Sequence, residues 1–466
     1  MTTFQSTRET STPLAAARGC KRCCLFLAVW LWVPSFRPHL SFVGTTVAPF
    51  RPGETPPATT RFVREKKGSL WRRNGDAKAS KGGRSRRSRR SRAVAQMAPD
   101  GVKAAQMLTA SIKKAQTAAD LLGVLDEAVN SPYFNYFHVS AAYTSLVSFH
   151  RGRALLPSSA ESPVLQKLHV QTETLITLKQ INPQASANVL WAITALFEAI
   201  PGTTQLLPAL INLFPETVPG MKAQELANCV WASAQLKDVA PDVLKVVPAL
   251  ISQIPGKALD MKPQELSNSL WASAHLKDVA PDVLNVVPAL ISQVPSRAVD
   301  MKPQELSNSL WALAHLKDVA PDVLKVVPAL IAQVPSRAVD MKPQELSNSL
   351  WASAHLKDVA PDVLKVVPAL IAQIPSRAVD MIPQHLSNSL WAAARLKDVA
   401  PDVLKIVPAL IAKLPSKAGQ MTGIELSQFR WAAAELKDVA PEVLKMEASI
   451  QARSQHKSDP GHADSQ

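Results

Sequence analysis

Cysteine is nearly missing from this chain. Of four in 466 residues, Cys20, Cys23 and Cys24 crowd the N-terminal leader and only Cys229 falls later, so neither a disulfide framework nor a zinc site can be assembled. Glycine is sparse at 16 residues, and no Gly-rich phosphate loop, nucleophile elbow or metal-ligand spacing is present. With the chemistry of catalysis lacking, the chain reads as a binding protein: no enzyme, no cofactor, no metal site and no small-molecule substrate. The apolar run "CCLFLAVWLWV" at residues 23–33 is too short to span a bilayer core of about 30 Å as a helix.

An excess of either charge is lacking from residues 101–466, which hold 32 Lys/Arg against 32 Asp/Glu. Residues 1–100 hold 20 against 5, so the formal charge of +15 is entirely N-terminal. There, Arg18, Lys21 and Arg22 precede the apolar run and Pro34 ends it, the n-region and h-region of a signal peptide over residues 1–41. An uncleaved anchor or a misplaced start codon would leave the same pattern. Residues 42–98 are poor in acids and close on "KGGRSRRSRRSRAVAQM", the composition of an organelle transit peptide. If kept, the run from Arg84 to Arg92 is instead an RNA-binding arm, since each Lys or Arg that displaces a phosphate counterion adds salt-sensitive affinity. The two-step leader resembles those of algae whose plastids lie inside extra membranes, where a Phe such as Phe42 follows signal cleavage. That resemblance implies a plastid protein, with the mitochondrion as alternative, and membrane contact only during import.

What the chain has in abundance is repetition. "MKPQELSNSLWASAHLKDVAPDVL" begins at Met261, returns at Met301 with one letter changed, and returns unaltered at Met341. Trp191, Trp231, Trp271, Trp311, Trp351, Trp391 and Trp431 follow one another at 40 residues, which defines seven repeats over residues 181–450. A degenerate copy occupies 132–180, with "FHVSAAYTSLVSFHR" in its first-helix slot, and 101–131 form a helical N-terminal cap. Residues 451–466 read as a disordered tail.

Each period holds two helical patterns. Pro263 suits a first helical position, where its missing N–H costs nothing, and opens "QELSNSLWASAHLK". Pro281 and Asp282 open a second helix with Val283, Val287, Leu290 and Val294 at helical spacing, and Pro295 ends it. Pro288 falls inside, where a lost hydrogen bond and a ring clash cost about 3 kcal/mol, so a kink or break is predicted there. Such a pair cannot bury its apolar stripes alone and must stack on its neighbours. The expected fold is all-α: a right-handed α-solenoid of helix-turn-helix repeats of about 40 residues behind a disordered leader, rising ~10 Å per copy. Ala272 and Ala274 allow close approach.

On a wheel of the first helix, Leu266, Leu270, Ser273 and Leu276 share one side. Gln264, Glu265, Asn268 and His275 fall on the other, in a sector about 100° wide that includes Ala272. The Asn recurs as Asn188, Asn228, Asn268, Asn308, Asn348 and Asn388, then becomes Gln428; the His position runs Gln235, His275, His315, His355, Arg395, Glu435. The Asn column is either a structural ladder or, with the imidazoles, a row that hydrogen-bonds unstacked bases. The Trp is either core or a stacking platform worth ~1–3 kcal/mol per base. Lys277, Lys317, Lys357 and Lys397 stand beside Asp278, Asp318, Asp358 and Asp398, and their charges are expected to cancel. At ~10 Å per copy the histidines are too far apart to share a metal.

"QELSNSLWALAHL", repeated near 40 residues behind an organelle leader, resembles the octotricopeptide-repeat proteins of chloroplasts and mitochondria over about residues 105–446. The related FAST-kinase-like and RAP-domain proteins are also similar, although no RAP domain follows the repeats. The resemblance implies sequence-dependent binding of single-stranded organelle RNA and control of transcript stability, processing or translation, with other organelle gene-expression factors as further partners. Because the copies at Met261, Met301 and Met341 present the same Asn and His, the expected target contains a short homopolymeric or low-complexity run. An armadillo-like or HEAT-like scaffold gripping an extended peptide through the Asn ladder is the alternative.

Overall fold

The computed structural model describes residues 99–447 apart from residue 156. The signal-like and transit-like segments and the tail from 451 to 466 lie outside the described residues. From Ala104 onward the described chain belongs to one compact unit. It contains no strand among the described residues and is an all-α helical repeat solenoid, in which each repeat packs against the next.

One layer is made of the tryptophan helices: Pro183–Leu196, Ala223–Leu236, Pro263–Leu276, Pro303–Leu316, Pro343–Leu356, Pro383–Leu396 and Gly423–Leu436, each 14 residues long. Local chemistry sets both ends. Pro263 sits in the first turn, and the Glu265 carboxylate accepts the Lys262 backbone N–H at 3.0 Å, which satisfies a donor that the helix leaves open. At the far end, the Val279 and Ala280 N–H groups close on the Leu276 carbonyl at 3.0 and 2.7 Å, and Pro281 turns the chain away. The helix Tyr136–Arg151 packs on Pro183–Leu196 as the tryptophan helices pack on one another, so the degenerate copy enters the same layer. It is tied back to the helix Pro99–Lys114 through His138, whose Nε2 donates to the Ala105 carbonyl at 2.8 Å.

The second layer corrects the reading of the prolines. Pro281–Val286 is a 3₁₀ helix, a new α-helix begins at Val287, another turn runs Val294–Arg297, and Ala298–Asp300 returns to 3₁₀. The predicted break falls here: the 3₁₀ helix ends at Val286 and an α-helix begins at Val287, so Pro288 is not inside one continuous α-helix. It stands in the first turn of Val287–Ile291, where its missing N–H leaves no α-helical bond unmade. Pro295 likewise opens Val294–Arg297 and does not end a helix. Only Leu207–Thr217 and Val367–Arg377 run unbroken across that point, with Pro215 and Pro375 inside. The apolar stripe survives the segmentation: Val283, Val287, Leu290 and Val294 are all buried.

Arginines bind neighbouring repeats in this layer. Arg297, Arg337 and Arg377 each donate to the carbonyl 38 residues earlier, Leu259, Val299 and Val339, at 3.1 to 3.2 Å. The last repeat departs from the pattern. Its position equivalent to the buried Leu270, Leu310, Leu350 and Leu390 is Arg430, exposed and paired with Glu447 at 3.8 Å. A polar residue there finishes the stack, as terminal repeats of solenoids require. The Leu310→Ala variant, which empties a fully buried site, is expected to lose about 2–5 kcal/mol. Val319→Ala, at a half-exposed site, should stay within about 0.5 kcal/mol; the midpoints of urea unfolding compare the two.

Candidate nucleic-acid interface

Of the helix Pro263–Leu276, only Pro263, Gln264, Asn268 and His275 escape burial. At about 100° per residue, Gln264, His275 and Asn268 lie within about 40°, and Trp271 lies about 20° beyond. The open stripe is thus narrower than the wheel suggested. Glu265 leaves it because its carboxylate turns inward to the Lys262 N–H, and burial holds that carboxyl above the usual range. Ala272 leaves it because the next helix covers it completely.

The Asn column sits at the edge of burial. Asn228, Asn308 and Asn388 are 4 to 9% exposed, whereas Asn188, Asn268 and Asn348 are half-buried. Asn188 Nδ2 donates to Ser140 Oγ at 2.8 Å in the neighbouring helix, a ladder contact between repeats. Gln428, in the same column, is half-buried.

The His column is held in an aromatic stack. His275 lies 3.6 Å from the Trp271 ring and 4.6 Å from Trp311; His315 lies 3.9 Å from Trp311 and 4.8 Å from Trp351; His355 lies 3.8 Å from Trp351 and 4.6 Å from Trp391, all between ring centroids. Indole and imidazole therefore alternate from repeat to repeat, and each indole is 5.8 to 6.2 Å from the next between Trp231 and Trp431. The rings stand closer than the ~10 Å expected per copy, because small residues such as Ala272 and Ala274 line the helix contact and the side chains converge. Cations close the column where imidazole is lacking: the Arg151 guanidinium is 4.9 Å from Trp191 and Arg395 is 5.9 Å from Trp391, within cation–π range. Gln235 is half-buried, and Arg395 and Glu435 are exposed.

Enclosure fixes the protonation state. Burial pushes His275 and His355 down to about 3 and His315 well below its ordinary value, with nearby cations adding to the effect: Lys237 and Lys277 at His275, Lys317 and Arg395 at His355. Near neutral pH these rings carry no charge. His275 Nδ1 lies 3.0 Å from the Trp271 carbonyl and donates to it, so the ring offers hydrogen-bonding edges rather than a cation. The lysines at the ends of five tryptophan helices are neutralised as well, since Lys237, Lys277, Lys317, Lys357 and Lys397 bond Asp238, Asp278, Asp318, Asp358 and Asp398 at 2.6 to 3.3 Å. No group of three or more His, Cys, Asp or Glu is placed to hold a metal among the described residues.

What remains is a row of amides and neutral imidazoles, with the indoles behind it recurring about every 6 Å: Trp191, Trp231, Trp271 and Trp351 are buried as core, and Trp311 and Trp391 are half-buried. Stacked bases advance about 3.4 Å along a strand, so a strand following this row would hold its bases apart, the state in which single strands are read. The sequence reading missed the His–Trp contacts between repeats; their one signal was His four residues after Trp, which lays imidazole over its own indole. No protein-family model matches the chain, and no curated protein does.

The stack makes stability sensitive to acid. Each imidazole has a folded-state pKa below its ordinary 6.5, so below pH 6.5 the unfolded chain binds protons that the folded chain refuses. Stability therefore falls as pH drops from 6.5 towards about 3, by up to about 1.4 kcal/mol per histidine per pH unit. His275→Gln, His315→Gln and His355→Gln together, which copy the natural Gln235, are expected to flatten that decline in urea midpoints taken across pH. The raised Glu265, Glu305 and Glu345 titrate in the opposite sense in both proteins.

Proposed function

We propose that this chain is a single-stranded RNA-binding solenoid of the octotricopeptide-repeat kind, acting in an organelle on the stability, processing or translation of a transcript. The observation that carries the reading is the narrow stripe of Gln, Asn and His on the tryptophan helices, partly open at Gln264, Asn268 and His275. Its side chains are types that recognise bases: amides for edges and imidazole for hydrogen bonds without charge. The repeat wording and the leader support an organelle setting, the plastid first and the mitochondrion second.

Filter binding of the full chain to the four RNA homopolymers tests the reading. One homopolymer should bind best, because the copies at Met261, Met301 and Met341 offer the same groups. Asn268→Ala, Asn308→Ala and Asn348→Ala together should reduce that preference, at about 1–3 kcal/mol per well-formed base contact. Equal affinity for all four, unchanged by the substitutions, would count against a base-reading row. In purified organelles, RNA crosslinked to the protein and lost after nuclease supports the proposal; nuclease-resistant capture of an extended peptide would favour a scaffold instead.

A further inference from the structure

A net charge of zero over residues 101–466 conceals an uneven distribution between the two ends of the tryptophan helices. At the C-terminal end every lysine of the row from Lys237 to Lys397 is held by its adjacent aspartate, and the Lys side chains are only 12 to 21% exposed. At the N-terminal end stand Lys222, Lys262, Lys302 and Lys342, all exposed. None of these four has a carboxylate within ion-pair distance among the described residues. The carboxylates beneath them, Glu225, Glu265, Glu305 and Glu345, are buried and accept the lysine's own backbone N–H at 2.8 to 3.0 Å. The linkers leading into the last three add Lys257, Arg297 and Arg337 against Asp260, Asp300 and Asp340. Each of these linkers thus carries two cations and one exposed acid.

The lysines occupy the N-cap position of their helices, which is the wrong place for them if folding were the only demand. Helix starts favour Ser, Thr, Asp or Asn, and a cation opposes the positive end of the helix dipole. Two other repeats show the position serving folding. Asn182 accepts the Ala185 N–H at 2.7 Å, and Thr422 accepts the Glu425 N–H at 3.3 Å. Ile382 fills it in the sixth repeat. The glutamate beneath each lysine caps its backbone N–H and, at Glu265, Glu305 and Glu345, attracts its charge, yet the four ammonium groups stand exposed at a position helix starts disfavour, a local conflict of the kind functional positions show. Their repeats are those whose stripe carries Gln235, His275, His315 and His355.

We infer that Lys222, Lys262, Lys302 and Lys342 form the phosphate-contacting row of the RNA interface, tracking the backbone of the strand whose bases face the neighbouring stripe. The inference rests on the RNA reading above and adds to it where the backbone runs and which repeats are engaged. Bases meet uncharged groups, and phosphates meet the unpaired cations one helix end away.

The test is the salt dependence of affinity for the best-bound homopolymer, measured on the full chain and on a variant with Lys222→Ser, Lys262→Ser, Lys302→Ser and Lys342→Ser. Each phosphate contact on a single strand contributes about −0.7 to the slope of log K against log salt, so the variant's slope should be shallower by about 3. Between 50 and 200 mM salt, the wild type should then lose about 50-fold more affinity than the variant. Comparing slopes cancels the contribution of the basic leader, which both proteins share. Because serine is a good N-cap, the variant should melt no lower than the wild type, so weaker binding cannot be ascribed to unfolding. A control carries Lys277→Gln with Asp278→Asn, Lys317→Gln with Asp318→Asn, and Lys357→Gln with Asp358→Asn; it should keep the wild-type slope. An unchanged slope in the serine variant, or an equal loss in the control, overturns the row while leaving RNA binding intact. Failure of the wild type to bind any of the four homopolymers defeats the RNA reading itself. Competition by poly-glutamate as strong as that by RNA would show a general polyanion surface and also overturn the assignment.

Discussion

The structure depends on the close approach of one tryptophan helix to the next. A single repeat has one 14-residue helix and a segmented arm, too little to enclose a core. It is completed only when helices lie against both flanks of the tryptophan helix, Ala272 on one side and Ser267 and Ala274 on the other, all buried. These small residues bring the backbones near enough for the indoles to form a column, and the column fills the seam that small residues alone would leave thin. Bulk is thus concentrated in one residue per repeat, and the ends of the rod need other arrangements: Arg151 over Trp191 at one end and Arg430 with Glu447 at the other.

That constraint explains how much of the fold the sequence declares. The 40-residue period, the tryptophan helix starting at Pro263 and the stripe Val283, Val287, Leu290, Val294 are properties of a single repeat, visible in its own letters. The proline arm is not so visible. Pro288 looks like a helix interior only if the segment from Pro281 is assumed to be one α-helix, and nothing in the apolar spacing distinguishes that from a 3₁₀ turn followed by a fresh α start. Contacts made between repeats are harder still. A wheel of one helix puts His275 on an open face, yet the ring that covers it, Trp311, belongs to the next copy. Glu265 was misplaced for a different reason, since a backbone hydrogen bond outweighs the preference of a carboxylate for water when the N–H would otherwise go unmet.

Enclosing the imidazoles removes charge from the middle of the candidate interface. A histidine at its ordinary pKa is partly cationic just below neutrality and would attract phosphate indiscriminately; held between two indoles it stays neutral and contributes shape and hydrogen-bonding edges. Positive charge is displaced to the helix ends, where it is paired with aspartate on one side and left unpaired on the other. A single average over residues 101–466, 32 cations against 32 acids, cannot distinguish this arrangement from a surface with no electrostatic preference at all.

Near-identity of the central copies has a cost in specificity of assembly. In a stack governed by nearest neighbours, the helices at Pro263, Pro303 and Pro343 offer one another almost the same surfaces, so contact alone does not tell one register from another. The covalent connection of each copy to the next and the distinct terminal residues must set the order. Positional information therefore resides in the few columns that vary. Along the N-cap column the order is Asn182, four lysines, Ile382, Thr422; along the column four residues after tryptophan it is Gln235, three histidines, Arg395, Glu435. Both columns change together after the repeat of Trp351, and so do two buried positions, where Glu345 becomes His385 and Ser353 becomes Ala393, while the leucines and the tryptophan continue. The N-cap lysine and the glutamate that caps its N–H disappear together, so local helix capping changes at this boundary as well; a ligand that engages only part of the rod is the reading that also covers the His column.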